Sequence, residues 1–191
     1  MAKSFVLVFS AALAAVMVAG CAPADPVGQP TYACTPEVGG TPYPCYKVQR
    51  DELDKLDALY AEAEVVYRKY LAEDARISRA GGVDEATPVM LETLSGTALT
   101  QSLEGYKTLR QDHTRIEGGA FQLAWVKRRP EKLVGGMAVA IQVCVDGSSA
   151  RLVQDGSKPV AIGYLSGELQ LARDGAVLKI ALADGEEVAS C

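Results

Sequence analysis

The chain has 191 residues, of which 49% are hydrophobic and 23% are charged. This length is typical of one domain, and the apolar content is sufficient for a core, which argues against a disordered chain. The formal net charge is −5, and an acidic protein is a poor partner for nucleic acid, whose phosphates need clustered Lys and Arg. The basic run at residues 127–132 is interpreted as a solvated hairpin turn around Pro130 rather than an anion site. With a single His and no Cys-x-x-Cys spacing, neither a metal site nor a cofactor is expected.

The first residues are typical of a secretion signal. Lys3 provides a positive start, and residues 5–19 are apolar except for Ser10. A stretch of about fifteen residues is short for a membrane-spanning helix, which needs roughly 20. It ends in Val-Ala-Gly-Cys at residues 18–21, which resembles the bacterial lipobox. The sequence therefore predicts a signal peptide at residues 1–20, cleavage before Cys21 and lipid attached to the Cys21 thiol. An ordinary signal peptide with a chance cysteine is the alternative.

Residues 21–50 differ in composition from the rest of the chain. Six prolines and three glycines between residues 22 and 46 leave no hydrophobic period. The segment is predicted to be an extended tether that holds a domain off the membrane. Cys34 and Cys45 lie within it, and an oxidising exported compartment favours a disulfide between them.

Two helical regions follow the predicted tether. Residues 51–79 carry an apolar face whose members recur at three- and four-residue spacing, and Gly81 and Gly82 end the helix. That face comprises Leu53, Leu56, Tyr60, Ala63, Tyr67 and either Tyr70 or Leu71. A second helical region is predicted at residues 85–113, broken near Ser95 and Gly96.

From Ile116 onwards the hydrophobic period changes to that of strands. Segments 121–126, 160–172 and 176–183 alternate, whereas 137–145 is almost continuously apolar, as a central strand would be. Turns are predicted at residues 146–148 and 155–156, and Asp174 with Gly175 indicates a hairpin. Helices followed by antiparallel strands predict an α+β domain over residues 51–191, with the sheet curled around the long helix.

Several of these segments resemble the NTF2-like, SnoaL-type family. The resemblance rests on residues 60–79 and 106–118, and above all on Val-Cys-Val-Asp at 143–146 followed by Val153 and Asp-Gly at 155–156. Within that family the chain is similar to uncharacterised actinobacterial lipoproteins. The resemblance implies a cone of N-terminal helices packed in a curved antiparallel sheet, and a disulfide between Cys144 and Cys191. Elimination agrees with this pairing if Cys21 is lipidated and Cys34 pairs with Cys45.

Enzymes of that cone fold bury an acid or a base in the cavity. The candidates here are Asp74, Asp112, His113 and Asp146. Asp74 continues the tyrosine stripe four residues beyond Tyr70 and could act as a general base. Tyr67 and Tyr70 could donate hydrogen bonds to a bound oxygen.

A possible pocket is assigned to four aromatic side chains, namely Tyr60, Tyr67, Tyr70 and Trp125. The alternative for the tyrosines is an ordinary place in the core. The alternative for Asp74 is solvation or an ion pair with Arg76 or Arg79, and the alternative for His113 is an exposed position at a turn. No serine-histidine elbow, phosphate loop or dinucleotide fingerprint is present.

The sequence thus predicts a lipoprotein on the outer face of the cell membrane, acting as a binding or interaction module of the envelope. Its expected partners are membrane lipid, through acylated Cys21, and an unknown envelope protein or a small apolar ligand. One alternative is an enzyme of the isomerase or dehydratase kind that uses Asp74 or His113. A further alternative is a structural envelope component or a phage-encoded exclusion lipoprotein.

Overall fold

The computed structural model describes residues 31–35 and 40–191. It divides into two compact units between Arg50 and Asp51. The predicted signal peptide and lipidated Cys21 lie outside the described residues. In the part of the chain that the structure describes, no helix is both long and apolar enough to cross a membrane.

The first unit contains a small antiparallel sheet. Strands β1 (Tyr32–Cys34) and β2 (Tyr43–Cys45) pair with Tyr32 opposite Cys45. A disulfide joins Cys34 to Cys45, and both cysteines are buried. The described part of the predicted tether is therefore a cross-linked pair of strands rather than an extended chain throughout.

The second unit begins within helix α1 (Lys47–Arg79), which starts four residues earlier than predicted. Its 33 residues correspond to a length of about 50 Å. Gly81 and Gly82 follow with positive φ, and the Gly82 N–H donates to the Ile77 carbonyl over 3.0 Å, so the helix ends where glycine allows a left-handed turn.

Two shorter helices, α2 (Pro88–Thr93) and α3 (Gly96–Gln111), occupy the second helical region. The predicted break near Ser95 is confirmed. The Ser95 N–H leaves the helical pattern and donates to the Ile180 carbonyl over 2.9 Å.

The remaining strands form one five-stranded antiparallel sheet. They are β3 (Thr114–Gly118), β4 (Gln122–Arg128), β5 (Val139–Gln154), β6 (Val160–Asp174) and β7 (Val177–Val188), with a short 3-10 helix at Pro130–Lys132. The order is β3-β5-β6-β7, and β4 also pairs with β5. Strands β4 and β3 share one edge of β5, because β4 pairs with its first half and β3 with its second half.

The turn predicted at residues 146–148 is wrong. Strand β5 runs through this segment, and its pairing with β6 shifts register between Gly147 and Arg151. Such a bulge bends a strand without ending it. The Asp-Gly-Ser sequence that indicates a turn here belongs to the bulge.

The core lies between the helices and one face of the sheet. Buried side chains from α1, α2 and α3 contact those of β5, β6 and β7, among them Tyr67, Met90, Ile141, Leu171 and Ile180. The predicted α+β class is confirmed.

Two ion pairs also connect α1 to the sheet. Arg128 on β4 pairs with Asp57 over 2.6 Å, and Arg173 on β6 pairs with Glu62 over 2.6 Å.

The basic run at residues 127–132 includes Arg128 and Arg129. Arg129 pairs with Glu131. Two members of the basic run are therefore ion-paired rather than freely solvated.

The second disulfide joins Cys144 on β5 to Cys191. Val143 and Val145 belong to the core, so the Cys144 side chain points to the opposite face of the sheet. There the Trp125 indole N–H donates to the Cys191 carbonyl over 2.9 Å. The disulfide fixes Cys191 to β5, the longest strand among the described residues.

Candidate functional site

A cavity of about 360 Å³ lies between α1 and the sheet. Its wall is mostly apolar and is formed by the second half of α1, by Phe121 and by strands β5, β6 and β7. The residues from the helix are Tyr67, Tyr70, Leu71 and Asp74, and those from the strands include Val143, Val145, Leu165, Gly167, Leu169 and Gly185. The volume is at the lower end of the range of small-molecule pockets, roughly 300–1,000 Å³.

The helical side of the cavity is one stripe of α1. Tyr67, Tyr70 and Asp74 are separated by three and four residues, so they share a face of the helix. Tyr67 is buried within the core, whereas Asp74 is half-buried one turn before the end of the helix. This stripe places one carboxyl group against an otherwise apolar wall.

The Asp74 carboxyl has neutral hydrogen-bond donors. The Tyr106 hydroxyl donates to Asp74 Oδ1 over 2.7 Å, and the buried Ser78 hydroxyl contributes a second hydrogen bond. Burial raises the pKa of Asp74, and these two hydrogen bonds oppose the rise without cancelling it. Asp74 is thus a carboxyl group whose proton is held more tightly than usual.

Gly82 determines where Tyr106 can lie. A Cβ atom at Gly82 would stand 2.0 Å from the Tyr106 carbonyl oxygen, and the residue has a φ of +91°. Only glycine allows α3 to approach the end of α1 this closely. This approach places the Tyr106 hydroxyl within hydrogen-bonding distance of Asp74.

The tyrosines of the site keep their protons. Burial, reinforced by the nearby Asp74 charge, raises the pKa of Tyr67, Tyr70 and Tyr106. The rings of Tyr67 and Tyr70 lie 6.2 Å apart at 49°, and the hydroxyl oxygens of Tyr70 and Ser102 are 3.4 Å apart. The side chains around Asp74 therefore offer hydroxyl groups and ring faces, but no second ionised group on the helical side.

Two glycines keep the sheet side of the cavity open. Gly167 on β6 lies opposite Val143 on β5 and Gly185 on β7, so three adjacent strands carry only one side chain at this level on the cavity face. A Cβ atom at Gly167 would meet Val143 at 3.5 Å, which is an ordinary contact. The missing side chains account for part of the empty volume.

The rim of the cavity is acidic. Asp184, Glu186 and Glu187 on β7 border it, but Asp184 and Glu186 pair with Glu168 and Ser166, so their side chains point to the opposite face of the sheet. Glu187 lies opposite Leu165, on the same face as the apolar wall. Among the residues that line the cavity, Asp74 and these three are charged, and none is basic.

The structure brings together some of the residues that the sequence analysis proposed and separates others. Asp74, Tyr67 and Tyr70 line the cavity. Asp74 has no ion pair with Arg76 or Arg79, because Arg76 binds Glu73 and Arg79 donates to the Gly119 carbonyl.

Tyr60 and Trp125 do not line this cavity. Tyr60 is buried in the core beneath the Arg128 guanidinium, 4.6 Å from its ring centroid. Trp125 lies on the opposite face of the sheet, because an extra residue at Ala124 shifts the β4 register so that Trp125 pairs with Cys144. Of the four aromatic residues assigned to a possible pocket, the structure therefore brings Tyr67 and Tyr70 to this cavity and places Tyr60 and Trp125 elsewhere.

The other acid and base candidates also lie away from the cavity. His113 is exposed in the turn into β3, with a φ of 50°, and lines a separate surface depression with Arg110 and Arg115. Asp112 caps the end of α3, and hydrogen bonds from the Ser148 side chain and the Ser148 N–H lower the pKa of Asp146. Asp74 is the one of the four candidates that the fold places in the cavity.

Sequence reasoning missed Tyr106, Phe121, Gly167 and Glu187. Tyr106 falls in the second predicted helical region with no role in a site, and its contact with Asp74 depends on the close approach at Gly82. The sequence does not indicate that Gly167 leaves space for a cavity, because glycine occurs within strands for several different reasons. Within residues 31–35 and 40–191 no cluster of His, Cys, Asp or Glu could hold a metal ion.

Comparisons with known proteins identify no relative from which a function could be transferred. No protein family and no curated protein sequence matches the chain. Among solved structures it is similar to the intermembrane space region of the chloroplast protein ARC6, with 15% identity and a TM-score of 0.45 over 66% of this chain and 95% of that one. It is also similar to a de novo designed β-sheet protein, with 16% identity and a TM-score of 0.34 over 64% of this chain and 88% of that one. At these TM-scores neither likeness carries an argument about function.

The predicted membership of the NTF2-like, SnoaL-type family is wrong. This chain is mostly sheet with one long helix rather than the expected cone, and the similar solved structures include the ARC6 region and the designed sheet. The resemblance depended on hydrophobic strand patterns and a few polar markers. Antiparallel α+β domains of many kinds share such patterns, so they do not identify a family.

Proposed function

We propose that this protein is an exported, lipid-anchored domain that binds a small apolar molecule in the cavity between α1 and the sheet. The observation that carries the proposal is the cavity itself, an apolar wall with a single carboxyl group at its helical side. A few polar groups within an apolar pocket are typical of ligand sites, where they fix orientation and specificity. A purely structural component is expected to be packed solid with side chains. The cavity therefore gives that alternative less support.

The two disulfides support the extracytoplasmic location. Cys34–Cys45 and Cys144–Cys191 pair all four cysteines that follow Cys21 in the sequence. Disulfides persist in oxidising compartments and are rare where thiols are kept reduced. Cys21 is the cysteine outside these two pairs. Its thiol is therefore available for the lipid attachment predicted from the lipobox-like residues 18–21.

The anchor is tested by metabolic labelling with palmitate in a bacterial host. Wild type should incorporate label and partition with membranes, since two or more acyl chains anchor a protein stably. A Cys21→Ser variant should lose both properties, and a Ser10→Ala variant controls for changes to the signal peptide. Equal labelling of wild type and Cys21→Ser would refute the anchor.

Ligand binding is tested by blocking the cavity. Leu165 on β6 lines it, and a Leu165→Trp variant would place an indole ring in the opening. Binding of the uncharged fluorophore N-phenylnaphthylamine should weaken at least tenfold. A Val160→Trp variant carries the same new side chain on the same strand at a residue that is not part of the cavity wall, so it should bind like wild type. No fluorescence change with wild type would count against the proposal.

A proton-transfer enzyme is the second candidate, and it is favoured by the tightly held Asp74 proton. A carboxyl group with a raised pKa in an apolar cavity can act as a general acid or base at neutral pH. Such an enzyme would exchange a carbon-bound proton of its substrate with solvent. Incubation with an envelope extract in heavy water should then give deuterated products with wild type but not with Asp74→Asn. No deuterium above a protein-free control would exclude this activity for the compounds of the extract.

A further inference from the structure

The charges of the cavity wall restrict the ligands that it can take. The charged side chains that face it are Asp74 and Glu187, because Asp184 and Glu186 alternate to the other face of the sheet. No Lys, Arg or His belongs to the wall. An anionic ligand, such as a fatty acid or a phosphate ester, would enter against two carboxylates with no cation to receive it.

The Asp74 carboxyl also lacks a counter-ion. Its hydrogen-bond partners are the neutral hydroxyls of Tyr106 and Ser78. The adjacent carboxyl of Glu73, by contrast, receives two hydrogen bonds of 2.7 Å from the Arg76 guanidinium. A partly buried carboxylate is costly without a paired cation, and the fold supplies that cation to Glu73 but not to Asp74.

A second carboxylate, that of Glu187, lies at the rim of the same cavity. Glu187 shares the cavity face with Leu165, and it forms no ion pair with any of the described residues. Oriented charges of one sign around a low-dielectric opening raise the local concentration of oppositely charged molecules. The ring faces of Tyr67 and Tyr70, which line the same wall, favour a cation as well.

From this arrangement we infer that the ligand is an apolar molecule with one cationic nitrogen, an amine or ammonium group, which binds at the Asp74 carboxylate while its apolar body contacts Val143, Leu165 and Leu169. The inference rests on the proposed function of the cavity as a binding site. It adds the charge of the ligand and the residue that recognises it. A neutral apolar ligand is the alternative that the experiment distinguishes.

Three probes of one shape and different charge test the inference. Adamantylamine, adamantanol and adamantane carboxylate are compact enough for the cavity and are cationic, neutral and anionic at neutral pH. Calorimetric titration of the full chain should show the amine binding about tenfold more tightly than the alcohol, and no heat of binding for the carboxylate. Equal affinities of the amine and the alcohol would overturn the inference and leave the cavity as a site for neutral ligands.

Two variants assign the preference to particular carboxylates. Asp74→Asn keeps the shape of the side chain and removes its charge, so the amine should lose about tenfold in affinity and its advantage over the alcohol. Glu187→Gln at the exposed rim should reduce the amine affinity less and weaken its dependence on salt. Glu104→Gln, on the exposed surface of α3 away from the cavity, is the matched control and should change nothing.

The outcomes separate the two proposals. If Asp74→Asn leaves the ratio of amine to alcohol affinity unchanged, the assignment to Asp74 is overturned while the cavity remains a binding site. If none of the three probes binds wild type and N-phenylnaphthylamine does not bind either, both the inference and the proposed function fail. The salt dependence of the amine affinity checks the electrostatic origin, because screening weakens attraction between exposed charges.

Discussion

Asp74 and Glu73 are neighbouring carboxyl groups that the fold treats in opposite ways. Burial raises the pKa of Asp74, whereas hydrogen bonds from the Arg76 guanidinium lower the pKa of Glu73. A folded-state pKa above the unfolded value means that stability falls as the pH rises between the two values, and a lowered pKa means the reverse. Asp74 therefore destabilises the folded domain at neutral pH, and Glu73 stabilises it.

Neutral substitutions at the two positions should differ in sign. Asp74→Asn removes a costly charge and still accepts the Tyr106 hydrogen bond, so we expect a higher free energy of unfolding at neutral pH. The advantage should disappear below the unfolded pKa, near about pH 3.9, where wild-type Asp74 is protonated in both states. Glu73→Gln should be less stable than wild type at neutral pH, and its deficit should shrink as the pH falls through the lowered pKa of Glu73.

Urea unfolding followed by circular dichroism over this pH range measures both differences. The two variants control for each other, because they change adjacent residues of α1 by the same chemical step. A loss of stability in Asp74→Asn at neutral pH would show that the Asp74 charge is satisfied inside the protein. Asp74 would then need no cation from a ligand.

Thr87 joins the start of α2 to Glu73. Its hydroxyl donates to Glu73 Oε1 over 2.7 Å and accepts from the Met90 N–H over 3.2 Å, which is the N-cap arrangement. Thr87→Ala should reduce the free energy of unfolding by about 1 kcal/mol, as loss of a helix cap usually does. Thr100→Ala on the exposed face of α3 is the control, and chemical denaturation compares them. Equal effects would mean that the cap contributes little here.

At the residue scale, the sequence predicted the helical half of the site better than the strand half. Tyr67, Tyr70 and Asp74 follow from helical spacing, because one strong period fixes which side chains share a face. Trp125 was misplaced because one extra residue at Ala124 exchanges the faces of a strand. The role of Gly167 and Gly185 in the cavity could not be predicted. A missing side chain leaves space only in combination with the residues paired to it in the sheet, and the sequence does not show that pairing.

At the scale of elements, β5 is the strand on which the sheet depends. It pairs with β3, β4 and β6, and its bulge after Gly147 lets β4 and β3 use one edge in succession. The Ser148 N–H donates to Asp146 Oδ1 over 2.8 Å within this irregular segment. The sequence predicted a turn here because Asp-Gly-Ser is common in turns. It could not show that β5 continues past these residues and pairs again on both edges from Ala150 and Arg151.

Gly147 leaves no room for a side chain at the bulge. A Cβ atom there would lie 2.9 Å from the Phe121 ring and 3.1 Å from the Gly163 carbonyl oxygen. Gly147→Ala should therefore destabilise the domain by about 1–3 kcal/mol, as overpacking does. It should also move Phe121, which lines the cavity.

Replacement of glycine by alanine at a different position, Gly105, should instead stabilise the protein. Gly105 lies within α3, and a Cβ atom there would meet nothing within 4 Å. Gly105→Ala should raise the free energy of unfolding by about 0.5–1 kcal/mol, because alanine has the higher helix propensity. Thermal unfolding of both variants measures the opposite shifts. A neutral Gly147→Ala would contradict the tight packing at the bulge.

At the scale of the molecule, the order of elements predicted the fold class but not the family. Helical and strand periods recur along the chain strongly enough to indicate helices followed by antiparallel strands. Long-range features carry no such local signal. Neither the sharing of one β5 edge by two strands nor the bridge of Leu94 to Ile180 has a sequence pattern of its own.

The disulfide between Cys144 and Cys191 closes a longer loop of the chain than the disulfide between Cys34 and Cys45. Cys144 and Cys191 are 47 residues apart in sequence, and the loop that they close contains the whole of β6 and β7. Because closing a loop of this length in the unfolded chain removes conformational entropy, the disulfide should contribute about 4 kcal/mol. A Cys144→Ser, Cys191→Ser double variant should lose about that free energy of unfolding in urea. It should also fray at the Trp125 contact with the Cys191 carbonyl, which amide hydrogen exchange of β4 would detect.

The Cys34–Cys45 disulfide provides the matched control. Its loop spans only 11 residues and lies in the first unit, so the corresponding double serine variant removes the same chemical groups without releasing the C-terminus. The chain-entropy estimate for so short a loop is about 3 kcal/mol, and the exchange of β4 amides should stay as in wild type. If both double variants increase β4 exchange equally, the protection of β4 does not come from the Cys191 anchor. If neither does, pairing with β5 holds β4 without help from Cys191, and the disulfide acts on the unfolded chain alone.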